Sequence, residues 1–180
     1  MSTCKPVATV AALLASGWIA SAGAQEGPHL GVPMSPADIA AWDISIGPSG
    51  AGLPQGSGTA SAGASVYNTK CIACHGEKGA GKPSDQLVGG NGTLRDAAPV
   101  RTVGSYWPYA TTLFDYIRRA MPWPQPQSLS ADEVYSLTAY LLFLNGVVGE
   151  TDVMNATTLP KVAMPNHDNF DVAYREPRRR

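Results

Sequence analysis

Cysteine is scarce in this chain: three residues in 180, at positions 4, 71 and 74. So few exclude a disulfide scaffold, which needs several paired cysteines. Neither sign of charge dominates, with 13 basic against 14 acidic residues and a formal charge of −1. No polyanion-binding surface follows, and no nucleic-acid partner is expected. Beyond the N-terminus no apolar run reaches the roughly 18 residues of a membrane-spanning helix. What is plentiful is glycine, 19 residues, and proline, 15. They predict long turn-rich loops between short regular elements. With 44% hydrophobic residues the chain can still bury one core.

Residues 1–24 have the pattern of a cleavable signal peptide. Lys5 supplies a weak basic start, Val7 to Ala20 is apolar and small, and Ala22-Gly23-Ala24 fits an A-x-A cleavage site before Gln25. An uncleaved N-terminal anchor is the alternative; the apolar stretch is short and has no stop-transfer flank. Cleavage removes Lys5 and Cys4, leaving a formal charge of −2 and two cysteines. The mature chain is therefore expected in the periplasm or outside the cell. The basic tail, Arg175 and Arg178 to Arg180, is read as a solvated end.

The rest divides into an irregular N-terminal extension, 25–60, a central domain, 61–146, and an irregular C-terminal extension, 147–180. In the first, Ser35-Pro36-Ala37-Asp38 can open a short helix through Trp42, with serine at the N-cap and proline at the first helical position. A helix is predicted from about Ala62 to Ala73, with Val66, Lys70 and Ala73 on one face and Gly63 stacked with Tyr67. The glycines between Gly76 and Gly92 predict loop. A second helix is expected from about Leu113 to Ala120, capped by Thr112, and stopped by Pro122, which drives Met121 to an extended conformation. The third carries a capping box, Ser130-Ala131-Asp132-Glu133, and a stripe of Val134, Leu137, Leu141 and Leu144, and closes at Asn145-Gly146. Ile39, Trp42, Ile46, Val153 and Val162 in the extensions must pack on the core or cover a partner.

Cys71-Ile72-Ala73-Cys74-His75 is a C-x-x-C-H sequence, the attachment signature of c-type haem. Two thiols at this spacing add to two haem vinyl groups, and the histidine falls beneath the iron. A thioredoxin-like pair would need a βαβ context, which is not visible. Zinc would need further soft ligands, and only His29 and His167 remain. The sixth iron ligand is assigned to Met121, with Met164, also followed by proline, as the alternative. Tyr106, Trp107 and Tyr109 are candidates to line the haem pocket, since their rings are apolar and their tips donate hydrogen bonds. Arg95 and Arg101 are candidates for pairing with propionates. The expectation is an apolar cavity bounded by Cys71, Cys74, His75, the Tyr106–Tyr109 run and Met121.

The helix ending in CIACHG, the Met121-Pro122 segment and the helix ending in LLFLNG resemble a class I cytochrome c. That resemblance implies an all-α fold, three main helices around one covalent haem. It also implies that the helix near Gly63 and Tyr67 crosses the last helix near Tyr140, with His75 proximal and Met121 distal. GPSGAGLPQGSGTASAG, LVGGNGTL, TVGSYWPYATTLFDYIRRAMPW and LPKVAMPN are similar to the cytochrome subunit of sulfur-oxidation complexes, the SoxD type. The likeness runs from about Ile44 to Asn166. It implies an electron-transfer subunit that is not catalytic alone. Its donor would be a molybdenum-containing dehydrogenase of the sulfite oxidase family, and its acceptor another cytochrome. Some members carry two haems; the one C-x-x-C-H here implies one. The rival readings are a general carrier between respiratory complexes, a haem enzyme, and a gas sensor, the last two with an open iron position.

Overall fold

The computed structural model describes residues 30–170. The signal-peptide reading, His29 and the basic tail lie outside the described residues. Among the described residues, five α-helices run in the order α1 (Pro36–Trp42), α2 (Ala60–Lys70), α3 (Ile72–His75), α4 (Ala110–Ala120) and α5 (Ala131–Leu144). Two residue pairs form the small antiparallel sheet: β1 (Ser57–Gly58) against β2 (Met154–Asn155), with Gly58 opposite Met154. The fold is all-α, as expected. Among the described residues no helix is long and apolar enough to cross a membrane.

α5 is the centre of the molecule. Ser130 and Glu133 close the capping box, the serine hydroxyl accepting from the Glu133 amide at 3.2 Å and the Glu133 carboxylate from the Ser130 amide at 2.9 Å. The predicted apolar stripe is too narrow: every residue from Val134 to Leu142 is buried. The reason is tertiary, since α2, α4, β1 and β2 all pack on α5 and leave it no solvent face in that stretch.

α2 crosses α5 with little space to spare. A β-carbon added at Gly63 would strike the Ser136 carbonyl and come within 2.8 Å of Tyr140 Cβ. Tyr67 and Tyr140 meet nearby, ring centroids 5.3 Å apart. The crossing falls where it was expected. The buried face is Ala60, Gly63 and Tyr67. Small residues one turn apart let the two backbones approach, and Lys70 is left outside to pair with Glu133 at 2.6 Å. Thr59 caps α2, whose first residue, Ala60, lies two residues before the predicted start.

α4 also starts early, at Ala110, and Thr112 does not cap it: its hydroxyl donates to the Tyr109 carbonyl instead. Asp115, an acid midway along α4, is buried. It accepts from the Ile46 amide at 2.7 Å and from the Arg119 guanidinium at 2.6 and 2.9 Å. Arg118 donates to the Ile44 carbonyl at 3.2 Å, so the N-terminal extension is tied along α4. Both extensions contribute to the core through Ile46, Met154, Leu159 and Met164. Val162 packs against it, while Ile39, Trp42 and Val153 stay exposed.

Candidate haem site

α2 ends at Lys70 because Cys71 leaves helical geometry, at φ −124° and ψ −32°. The chain then makes one further helical turn, α3, that carries Ile72, Ala73, Cys74 and His75. Gly76 stops it with φ +71°, a conformation that favours glycine, and a β-carbon there would press on the Gly81 carbonyl. From Gly76 the loop folds back beneath the turn. The Gly81 amide donates to the His75 carbonyl at 2.8 Å and the Ser84 amide to the Cys74 carbonyl at 2.9 Å. Tyr67 donates from its hydroxyl to the Gly76 carbonyl at 2.9 Å, which pins this loop to α2.

The consequence for His75 is specific. Its Nδ1 lies 3.2 Å from the Asp85 carbonyl oxygen. A carbonyl only accepts, so Nδ1 carries the proton and Nε2 keeps its lone pair. This is how proteins orient an imidazole that ligates a metal.

Cys71 and Cys74 are both free thiols, half-buried and exposed respectively. Burial pushes the Cys71 thiol up to about 11, with Lys70 pulling weakly the other way. A redox-active C-x-x-C pair requires a thiol moved down instead. Nor do the described residues bring three His, Cys, Asp or Glu side chains together as a zinc site would need. The donor set thus fits a haem held by two thioethers and one imidazole better than either alternative.

Met121 caps the C-terminus of α4, extended at φ −121° and ψ 147°, as Pro122 requires. It is half-buried and packs against the core, as do Ile72, Leu87 and Trp107. These are apolar groups only partly covered by protein. Trp107 stands edge-on to Tyr116 of α4, centroids 5.7 Å apart. Tyr106 and Tyr109 turn elsewhere, to Phe170 at 5.4 Å and to His167 at 5.1 Å, both in the C-terminal segment. Arg101 lies over the Tyr106 ring, 5.4 Å from its centroid.

Met164 is sunk in the core. It lines a cleft of about 510 Å³ with Tyr109, Leu159 and His167, far in composition from the attachment turn. A smaller cleft, about 220 Å³, lies between Ile44, Arg118, Gln127 and Leu129. Neither is lined by Cys71, Cys74, His75 or Met121, so the expected enclosed cavity is not one of these two. The attachment turn is instead open, with Cys74 exposed.

One organising residue escaped the sequence reading. Asn145 was taken as a helix end only. Its amide donates to the Leu87 and Leu141 carbonyls at 3.2 and 2.8 Å, and its oxygen accepts from the Gly89 amide at 3.0 Å. It clasps the loop after His75 to the end of α5. A long-range contact of this kind has no local sequence signature.

The comparisons with known proteins agree with this geometry. Residues 58–141 match the family described as cytochrome c oxidase, cbb3-type, subunit III. Among solved structures, a chain of the sulfane dehydrogenase SoxCD from Paracoccus pantotrophus is similar at 40% identity, with a TM-score of 0.74. The similarity covers 79% of this chain and 71% of that one. No curated protein matches. With its helical fold, its C-x-x-C-H turn and these likenesses, the chain belongs to the class I c-type cytochromes, haem-binding electron-transfer proteins, and is of the SoxD type.

Proposed function

We infer that the chain is a periplasmic cytochrome with one haem, joined by thioethers at Cys71 and Cys74 and ligated by His75 and Met121. The carrying observation is the His75 ring, with Nδ1 engaged by the Asp85 carbonyl and Nε2 free, on the same turn as two unpaired thiols. A haem bound there supplies one-electron exchange at its iron. The chain's residues do the rest. Asp85 holds the imidazole in one tautomer. Pro122 and the last turn of α4 hold the Met121 thioether, a soft ligand that favours the ferrous state and raises the potential. Met164 is the weaker candidate because it fills the core. Trp107 with Tyr116 supplies an aromatic wall, while Tyr106 and Tyr109 link the domain to the C-terminal segment.

The donor in this reading is a molybdenum dehydrogenase subunit of the sulfite oxidase family, and the acceptor is another cytochrome. The support is the likeness to a chain of a sulfane dehydrogenase. Residues 1–24 would direct export and be removed. The test is expression in a host with periplasmic haem-attachment machinery. Haem should resist acidified-acetone extraction, with one haem per chain and an N-terminus at Gln25. Co-expressed with the molybdenum subunit encoded in the same genome, the haem should be reduced when sulfite or thiosulfate is added. Extractable haem would sink the attachment, and no sulfur-dependent reduction would favour the general carrier.

A further inference from the structure

The N-terminal segment from Leu30 to Trp42 contains a well-made helix that no described residue buries. α1 has a complete capping box, Ser35 accepting from the Asp38 amide and Asp38 accepting from the Ser35 amide, both at 3.2 Å. Yet none of its residues is buried. Seven residues are too few to hold a helix in water, where most helical stability comes from tertiary packing. The apolar residues are also misplaced for a free segment. Leu30 and Val32 are each 87% exposed and Trp42 is 80% exposed, with Met34 and Ile39 about half exposed. Ile39 and Trp42, three apart, share one face of the helix. Together these side chains present roughly several hundred Å² of apolar area, comparable to the largest patch of an ordinary monomer, which is often functional.

The segment is rooted at a particular place. Immediately after it, Ile44 and Ile46 are fastened to Arg118 and Asp115, within two turns of Met121 on α4. Ile44 also shares a cleft with Gln127 and Leu129, from the loop that follows Met121. That loop, Pro122 to Ser128, has no charged residue and carries Trp123 at 82% exposure. Whatever the segment grips is therefore held on the Met121 side of the domain.

We propose that residues 30–42 form an arm that docks into an apolar groove of the dehydrogenase subunit that donates electrons, with Trp123 as a second contact. The proposal rests on the reading of this chain as an electron acceptor of such a subunit. The occupant follows from the chemistry of the arm. From Leu30 to Trp42 its only charge is Asp38, and that carboxylate is spent on the cap. A contact made and broken at every turnover is small and polar, whereas an uncharged apolar arm suits a permanently associated subunit. The chain's own C-terminal ten residues are a poor cover, with six charges among them. A second copy of the chain could cover the arm but would bring no electrons to this domain.

The experiment uses the mature haem-loaded chain, wild type and the double variant Ile39→Ser, Trp42→Ser, with the purified molybdenum subunit from the same genome. The probes are titration calorimetry and stopped-flow haem reduction. The expected result is binding weakened roughly 30-fold or more, the loss that separates hot-spot residues from the rest of an interface. The variant's haem spectrum, potential and melting temperature should match the wild type. Equal binding by both proteins overturns the arm and leaves the electron-acceptor reading standing. A lowered melting temperature means the arm packs on its own domain, and a wild-type dimer that the variant dissolves means the occupant is a second copy; either overturns the proposal. Failure of the wild type to bind or be reduced at all overturns both.

Discussion

The crossing of α2 with α5 and the turn from Cys71 to Gly76 are neighbours in sequence but opposites in construction. At the crossing Gly63 has no room for one more carbon, and Tyr67 and Leu142 are sealed from water. At the turn Cys74 is exposed, His75 half-buried, and the apolar side chains around them are only partly covered. The crossing is finished by protein alone. The turn is held in shape from behind, by backbone hydrogen bonds and Tyr67, while its chemical groups stay accessible. The scaffold presents two thiols and an imidazole at the spacing that haem attachment needs.

This contrast can be broken most severely at Gly63. Gly63→Ala places a β-carbon against backbone that cannot retreat, and is expected to cost about 3 kcal/mol or more by urea denaturation. A near-neutral effect would show that the crossing is looser than it looks. Leu142→Ala, fully buried in the last turn of α5, should cost about 2–4 kcal/mol, read by the same unfolding curve.

On the open side the effects should be chemical rather than structural. Met121→Ala removes a half-buried side chain at a helix end, so its stability cost should stay near or below about 1–2 kcal/mol. The potential should nevertheless fall, and the Met–iron charge-transfer band of the ferric protein should vanish. An unchanged spectrum would move the sixth ligand to another residue.

The smallest effect belongs to Glu133. Hydrogen bonds from Lys70 and from the Ser130 amide hold its carboxyl below its ordinary value of 4.5. A depressed folded pKa contributes stability that is present above the unfolded value and lost as pH falls through the folded one. Glu133→Gln should therefore flatten the stability curve below about pH 5. The pair is partly solvent-exposed, so its strength at pH 7 is limited to about 1 kcal/mol or less by screening. A larger change would mean that the α2 and α5 ends depend on this bridge.

The N-cap at Ser35, the capping box at Ser130, the stop at Pro122 and the turn at Asn145-Gly146 were legible because each depends on residues within one helical turn. C-x-x-C-H was legible for the same reason, since its chemistry needs only a short spacing. What local reading missed was mostly non-local: the full burial of α5 and the burial of Asp115 turned on partners from other parts of the chain, whereas Thr112 fails to cap α4 because its hydroxyl donates to the nearby Tyr109 carbonyl. The contacts of Tyr106 with Phe170 and of Tyr109 with His167 join rings some 60 residues apart, for which no periodicity prepares.

What the sequence determined by itself is the chemistry: two thiols and an imidazole on one turn, a methionine made extended by its proline, helices that start and stop where their caps lie. Those follow from covalent geometry and hydrogen bonds between near neighbours. Only the tertiary structure decided which imidazole nitrogen is free, because the Asp85 carbonyl reaches His75 through a folded-back loop. It alone separated Met121 from the buried Met164, and Ile46 from the exposed Ile39 and Trp42. Apolar side chains of one kind look alike in a sequence; what distinguishes them is whether the rest of the fold arrives to cover them.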